Sequence, residues 1–232
     1  MNVIPQRIKD GFVSLLAPLA RLLIRGGVHP NVITTVGTLV LIGAGVAFAY
    51  GAIRWGGLLL LVSGLLDLLD GQVARLGGLS TAFGAFYDST LDRVGEGALF
   101  AGLIVYFFHG PLPANLVTPA VLAGLVALTA SLLVSYTRAR AEALGIDNRV
   151  GIAARAERIL LLGLPAVVFG AGPGRPGVLL FWIVVVLAFV SAVTVIQRVV
   201  HVARVARGVP PPPPIKRETT MPGIAAVRRK GH

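Results

Sequence analysis

Long apolar runs separated by short polar or glycine-rich breaks set the pattern of this chain. They extend from about Asn31 to Ile53, Trp55 to Arg75, Ala82 to Phe108, Leu116 to Tyr136, Ile159 to Gly170 and Val178 to Val200. Five are long enough to cross a hydrocarbon layer of roughly 30 Å at about 1.5 Å per residue. The run from Ile159 is short, and reaches that length only if the charged segment Ala153 to Arg158 continues as helix. The pattern therefore predicts six transmembrane helices.

The segment Val3 to Arg25 differs. Ile4, Ile8, Phe12, Leu15, Leu16, Leu19, Leu22 and Leu23 recur at helical spacing, with Arg7, Lys9, Arg21 and Arg25 between them. That predicts an amphipathic helix lying in the membrane interface. It lacks the compact apolar core and small-residue cleavage site of a removable signal peptide. At the other end, Gly208-Val209 and the prolines Pro210 to Pro214 lead into a polar, basic stretch that can neither continue a helix nor bury a core. The expected organisation is an all-α integral membrane protein. An interfacial helix and turn occupy 1–30, a six-helix domain 31–207, and a disordered basic, proline-rich cytoplasmic tail 208–232.

Composition sharpens this picture. The 232 residues are 55% hydrophobic and 13% charged, too apolar for an ordinary soluble domain. Cysteine is absent, which excludes a disulfide framework and thiolate chemistry. A net charge of +11 raises nucleic acid as a partner. However, the basic residues flank apolar runs instead of gathering with aromatics, which points to a lipid bilayer and phosphate, not nucleic acid. With the N-terminus in the cytoplasm, six spans return the C-terminus there, and of the lysines and arginines only Arg54 and Arg175 face outside. The expected setting is the cell (inner) membrane, with both termini and the active site cytoplasmic.

The acidic residues are the chemical exception. Between Leu65 and Gly95 lie Asp67-x-x-Asp70-Gly71-x-x-Ala74-Arg75, eight residues, then Gly84-x-x-x-Asp88-x-x-x-Asp92. Steps of three and four residues turn about −60° and +40° around a helix axis, so each pair of carboxylates shares a face. Two such faces turned together surround one point with four carboxylates, an arrangement costly near a membrane without a cation between them. All-oxygen ligation favours Mg²⁺ or Mn²⁺. Gly71, Ala74 and Gly84 allow close approach of a helix or a flat ligand, and Arg75 suits a phosphate oxygen. The plainer alternative is a set of polar positions solvating a loop between two spans.

This spacing resembles the signature of the CDP-alcohol phosphotransferases, integral membrane enzymes of phospholipid synthesis, with every fixed position filled. The resemblance implies a Mg²⁺-dependent transferase, with two ions expected and Mn²⁺ possible, acting on a CDP-linked lipid and releasing CMP. By position, Asp67, Asp70 and Asp88 would ligate metal, and Asp92 would be the general base while also lying near the second ion. Gly71, Ala74, Arg75 and Thr81 would line the site for cytidine and diphosphate, with Gly84 giving clearance. The family's Pro-Asn-x-x-Thr turn is matched by Pro30-Asn31-Val32-Ile33-Thr34, which adds Asn31, Val32, Ile33 and Thr34 to the nucleotide site, where the resemblance also places Asp67. Asn31 is equally a favoured helix N-cap. Related enzymes are homodimers.

The acceptor is approached through arginines. The second cytoplasmic loop, Ser135-Tyr136-Thr137-Arg138-Ala139-Arg140-Ala141-Glu142, is followed by Arg155-Ala156-Glu157-Arg158 and later by Gln197-Arg198. Guanidinium groups converging there would clamp a phosphate, although positive-inside anchoring or pairing with Glu142 and Glu157 would also explain each one singly. Together these segments resemble the bacterial phosphatidylinositol-phosphate synthases of the family. There the positions of Ser135, Arg138, Arg155 and Arg198 bind inositol phosphate. Arg138 departs from the usual Lys and Ala156 from a usual Pro. The expected reaction transfers the phosphatidyl group of CDP-diacylglycerol to a phosphorylated polyol, inositol phosphate first, with glycerol 3-phosphate as the rival acceptor. An intramembrane prenyltransferase and a divalent-cation transporter are the readings from other classes. Among the remaining residues, Glu96 reads as a buried structural partner for a cation or hydroxyl. Gly43, Gly45, Gly95, Gly97 and Gly102 read as helix-packing positions.

Overall fold

The computed structural model describes residues 6–148, 150–152, 155–170 and 177–207, with side chains from Leu15 onward. The stretch 208–232, expected to be a disordered tail, lies outside the described residues. Seven helices follow one another: α1 (Gln6–Arg25), α2 (Pro30–Ala49), α3 (Ile53–Leu76), α4 (Ala82–His109), α5 (Ala114–Ala143), α6 (Arg155–Phe169) and α7 (Val178–Val205). No strand occurs among the described residues.

Four of these helices, α2, α3, α5 and α7, are long and apolar enough to cross a membrane. By length and composition they suit a membrane-embedded protein. The remaining two of the six expected spans are α4, which has 28 residues but carries Asp88, Asp92, Arg93 and Glu96 between residues 88 and 96, and α6, which has 15 residues.

Helix α2 packs on α3 and α4, α4 also on α5, α5 on α7, and α6 on α3 and α7. Phe48, Leu60, Leu103, Phe107, Leu162, Leu180 and Val184 fill the main core between them. The end of α1 packs against α3, where Ala20 joins Ile33, Leu69 and Val73 in a second apolar cluster. Leu15, Leu19 and Leu22 on the opposite side of α1 remain exposed.

Small residues set the closest crossings. A Cβ on Gly102 would run into the Gly45 carbonyl, so α2 and α4 touch backbone to backbone. Gly57 and Gly163 do the same for α3 and α6, and a Cβ on Gly95 would strike Leu41. Gly43 and Gly97, expected to share this duty, stand in ordinary contact and in open space respectively. Gly102→Ala is expected to destabilise the fold by about 1–3 kcal/mol through overpacking, read as a lower midpoint of thermal unfolding in detergent. An unchanged midpoint would show that the crossing relaxes freely.

Two local expectations are corrected. Ser135 to Glu142 is not a loop but the last two turns of α5. The alternating alanines are strong helix formers, and Arg138 donates through Nε to Glu142 one turn on (2.8 Å). The N-cap of α2 is His29, whose Nδ1 accepts from the Asn31 amide (3.2 Å), with Pro30 at the first helical position. Asn31 is therefore free of capping duty.

Candidate functional site

The aspartates stand where α3 ends and α4 begins. Asp67 and Asp70 lie one turn apart on α3, Asp88 and Asp92 one turn apart on α4, and α2 closes the third side with Thr34. Carboxylate oxygens of Asp67, Asp70 and Asp88 lie within 4.8 Å of one another. Thr34 Oγ1 donates to Asp70 Oδ2 (2.7 Å), a charge-assisted bond that fixes this buried carboxylate. The same hydroxyl is also within 3.1 Å of the Pro30 carbonyl. Asp88 Oδ1 is buried and accepts no hydrogen bond. An all-oxygen donor set with one buried, unpaired carboxylate oxygen fits a hard divalent cation.

Asp92 has a different environment. Its Oδ1 is 2.6 Å from Arg155 Nη1 and its Oδ2 is 3.6 Å from Arg93 Nη2. Arg155 also pairs with Asp67 Oδ1. One guanidinium at the start of α6 thus bridges the two aspartate-bearing helices, and all four aspartates with Arg155 line one narrow cavity.

A larger cavity of about 170 Å³ adjoins it and shares Thr34, Asp70 and Asp88. Asn31, Gly71, Ala74, Arg75, Thr81 and Gly84 line it, all anticipated as nucleotide contacts. Thr81 caps α4 by accepting the Gly84 amide at Oγ1 (2.9 Å). A Cβ on Gly84 would project to within 3.1 Å of that hydroxyl and 3.4 Å of Asn31 Oδ1. The glycine keeps this wall open. Val32 and Ile33 do not line the cavity. Val32 is exposed, and Ile33 is packed against Ala20, Leu69 and Val73. Leu79, Ser80 and Ala85 do line it and were missed. The one usable signal was the Ser-Thr pair preceding a helical run, which marks a cap.

The four acceptor positions stand on α5, α6 and α7. Arg155 belongs to the aspartate cluster, and Ser135 is half-buried on α5. Arg138 is exposed and paired with Glu142. Arg198 is buried on α7, where its Nε donates to the Val150 carbonyl (2.9 Å) and its Nη1 to that of Val134. It staples the α5–α6 connection to α7. His201 Nε2, 3.1 Å from the Asp147 carbonyl, adds a second tie to the same connection.

Glu96 is a buried hub. Ser131 Oγ and Arg158 Nη2 both donate to its Oε1 (2.6 and 2.8 Å), and Arg93 pairs with Oε2. The expected cation and the expected hydroxyl are both present.

The sequence profile described as CDP-alcohol phosphatidyltransferase matches residues 27–196. The phosphatidylinositol phosphate synthase of Mycolicibacterium smegmatis is 39% identical over 205 residues, covering 86% of this chain and 88% of its own. The archaetidylinositol phosphate synthase of Methanothermobacter thermautotrophicus is 41% identical over 175 residues, covering 73% and 80%. The crystal structure of the Mycobacterium tuberculosis phosphatidylinositol phosphate synthase with CDP-DAG bound superposes with a TM-score of 0.70 at 34% identity, over 80% of this chain and 92% of that one. The same enzyme in complex with manganese and citrate gives 0.71, over 81% and 88%.

Proposed function

This chain belongs to the CDP-alcohol phosphatidyltransferase family, and from that premise we propose that it makes phosphatidylinositol phosphate from CDP-diacylglycerol and inositol phosphate, releasing CMP. The observation that carries the reading is the junction of the two cavities. Two of the three clustered carboxylates, Asp70 and Asp88, border a space walled by Asn31, Gly71, Ala74, Arg75, Thr81 and Gly84, small and polar positions suited to a nucleotide diphosphate.

Asp67, Asp70 and Asp88, with Asp92 beside them, would hold divalent ions, Mg²⁺ by preference and two in number. When bound, the ions supply the charge that polarises the diphosphate and stabilises departing CMP. The protein groups do the rest. Asn31, Arg75 and Thr81 orient the cytidine diphosphate, and Gly71, Ala74 and Gly84 give it room. Asp92 takes the proton of the acceptor hydroxyl, whose oxygen bonds to the phosphatidyl phosphorus as the bond to CMP breaks. Arg155 reaches this centre from α6, and with Ser135, Arg138 and Arg198 it supplies the acceptor's phosphate contacts.

The setting proposed for this chemistry is the cytoplasmic face of the inner membrane, with six spans from α2 to α7. The exposed leucines of α1 suit an interfacial helix. A homodimer, implied by the family, belongs to the same proposal, and the mass of the solubilised particle tests it.

The deciding experiment is an acceptor panel. Purified protein with Mg²⁺ and CDP-diacylglycerol is expected to release CMP at least about tenfold faster with inositol phosphate than with free inositol or glycerol 3-phosphate, since a site built to pair a polar group rejects acceptors lacking it. Preference for glycerol 3-phosphate would reassign the acceptor. Absence of CMP with every phosphorylated polyol would overturn the transferase reading.

A further inference from the structure

Helix α6 packs on α3 and α7, yet its arginines reach α4. Arg155 and Arg158, three residues apart on α6, meet Asp92 and Glu96, four apart on α4, as two parallel ion-pair rungs. The Arg155–Asp92 rung lies in the aspartate cluster. The Arg158–Glu96 rung lies one turn further along and is buried, both residues being at most 8% exposed. Arg158 Nη1 has no hydrogen-bond partner, so the carboxylate of Glu96 is what fixes this guanidinium. Ser131, 1% exposed on α5, fixes Glu96 in turn. A small cavity that takes in Arg155 and both members of the Arg158–Glu96 rung is walled mostly by apolar side chains, Leu41, Leu99, Phe100 and Leu162 among them, so the polar contacts of the rung are made inside an apolar surround.

We infer that Glu96 and Arg158 are positioning residues for the transfer reaction: their buried rung sets the height and rotation of α6 against α4 and thereby places Arg155 at the acceptor side of the aspartate cluster. The inference rests on the functional reading above and goes beyond it. Neither residue touches substrate. The walls of the larger cavity come from α2, α3, the α3–α4 connection and the start of α4, so the rung bears on the acceptor and not on the CDP-lipid.

Glu96→Gln keeps the shape and an acceptor for Ser131 but makes the rung neutral, and Arg158→Met removes it from the other side. Each variant is expected to raise the KM for inositol phosphate about tenfold, the lower end of what losing a group that orients a site residue costs, with the KM for CDP-diacylglycerol within about twofold of wild type. The double variant is expected to match Glu96→Gln, which also loses the Arg93 pair, because removing Arg158 adds nothing once the rung is already neutral. Loss of folded protein alone would lower the apparent kcat and move neither KM. Hydrogen–deuterium exchange over 155–163 supplies a readout that needs no turnover: both single variants must speed exchange there. Unchanged exchange overturns the inference whatever the CMP assay gives. So does a parallel rise in both KM values, or a double variant whose effects multiply. Wild-type protein that releases no CMP would sink the functional reading instead, and the exchange data would still decide the rung.

Discussion

Asp92→Asn is expected to slow CMP release by about 10²–10⁴-fold, the range contributed by a positioned general base, while the protein stays folded. Asparagine has nearly the shape of aspartate, so the contacts around it are disturbed little. What it loses is the capacity to take a proton from the acceptor hydroxyl. Asp92 is set apart from the other three aspartates by its neighbours: two arginines approach its two oxygens, whereas Asp67, Asp70 and Asp88 converge on one another. A kcat within threefold of wild type would remove Asp92 from the role of base. Retained Mn²⁺ binding with lost turnover would separate that role from metal ligation.

Chelation is expected to have the other large effect. Excess EDTA should reduce CMP release to background, and Mg²⁺ or Mn²⁺ added beyond the chelator should restore it. Asp70→Asn should raise the metal concentration giving half-maximal rate by more than tenfold, since a charged ligand is exchanged for a weak neutral one. Thr34→Val probes the same carboxylate from outside. Removing the hydroxyl that orients an outer ligand oxygen weakens metal affinity by roughly 10–100-fold. Full turnover in EDTA would dismiss metal participation.

What the sequence disclosed follows from which forces are local. The helices at Ala82 and Val178 start where the apolar runs start, because transfer of apolar groups out of water reads directly from residue type. The aspartate spacing was equally legible, since one helix turn suffices to align two carboxylates. Ser135 to Glu142 was misjudged because charge was read as a sign of loop. An Arg–Glu pair one turn apart and alternating alanines make such a segment a good helix. Val32 and Ile33 were carried along with a turn motif, although consecutive residues of a helix point in different directions and only Asn31 and Thr34 share the cavity. Arg155 could not be paired in advance with Asp67 and Asp92. That contact depends on the rotation of α6, which its neighbours in space determine. Arg198 likewise offered no hint that main-chain carbonyls would occupy its nitrogens.

The glycine crossing of α2 and α4 gives the bundle a fixed pivot. Thr34 and Asp88 sit on arms of that pivot, so the half proposed to grip the activated lipid is held against shear. Ser135, Arg138, Arg155 and Arg198 are carried instead on α5, α6 and α7. The two halves can then change at different rates. Exchange of side chains on the later helices would retune which alcohol is accepted, while the bond-breaking apparatus is inherited intact.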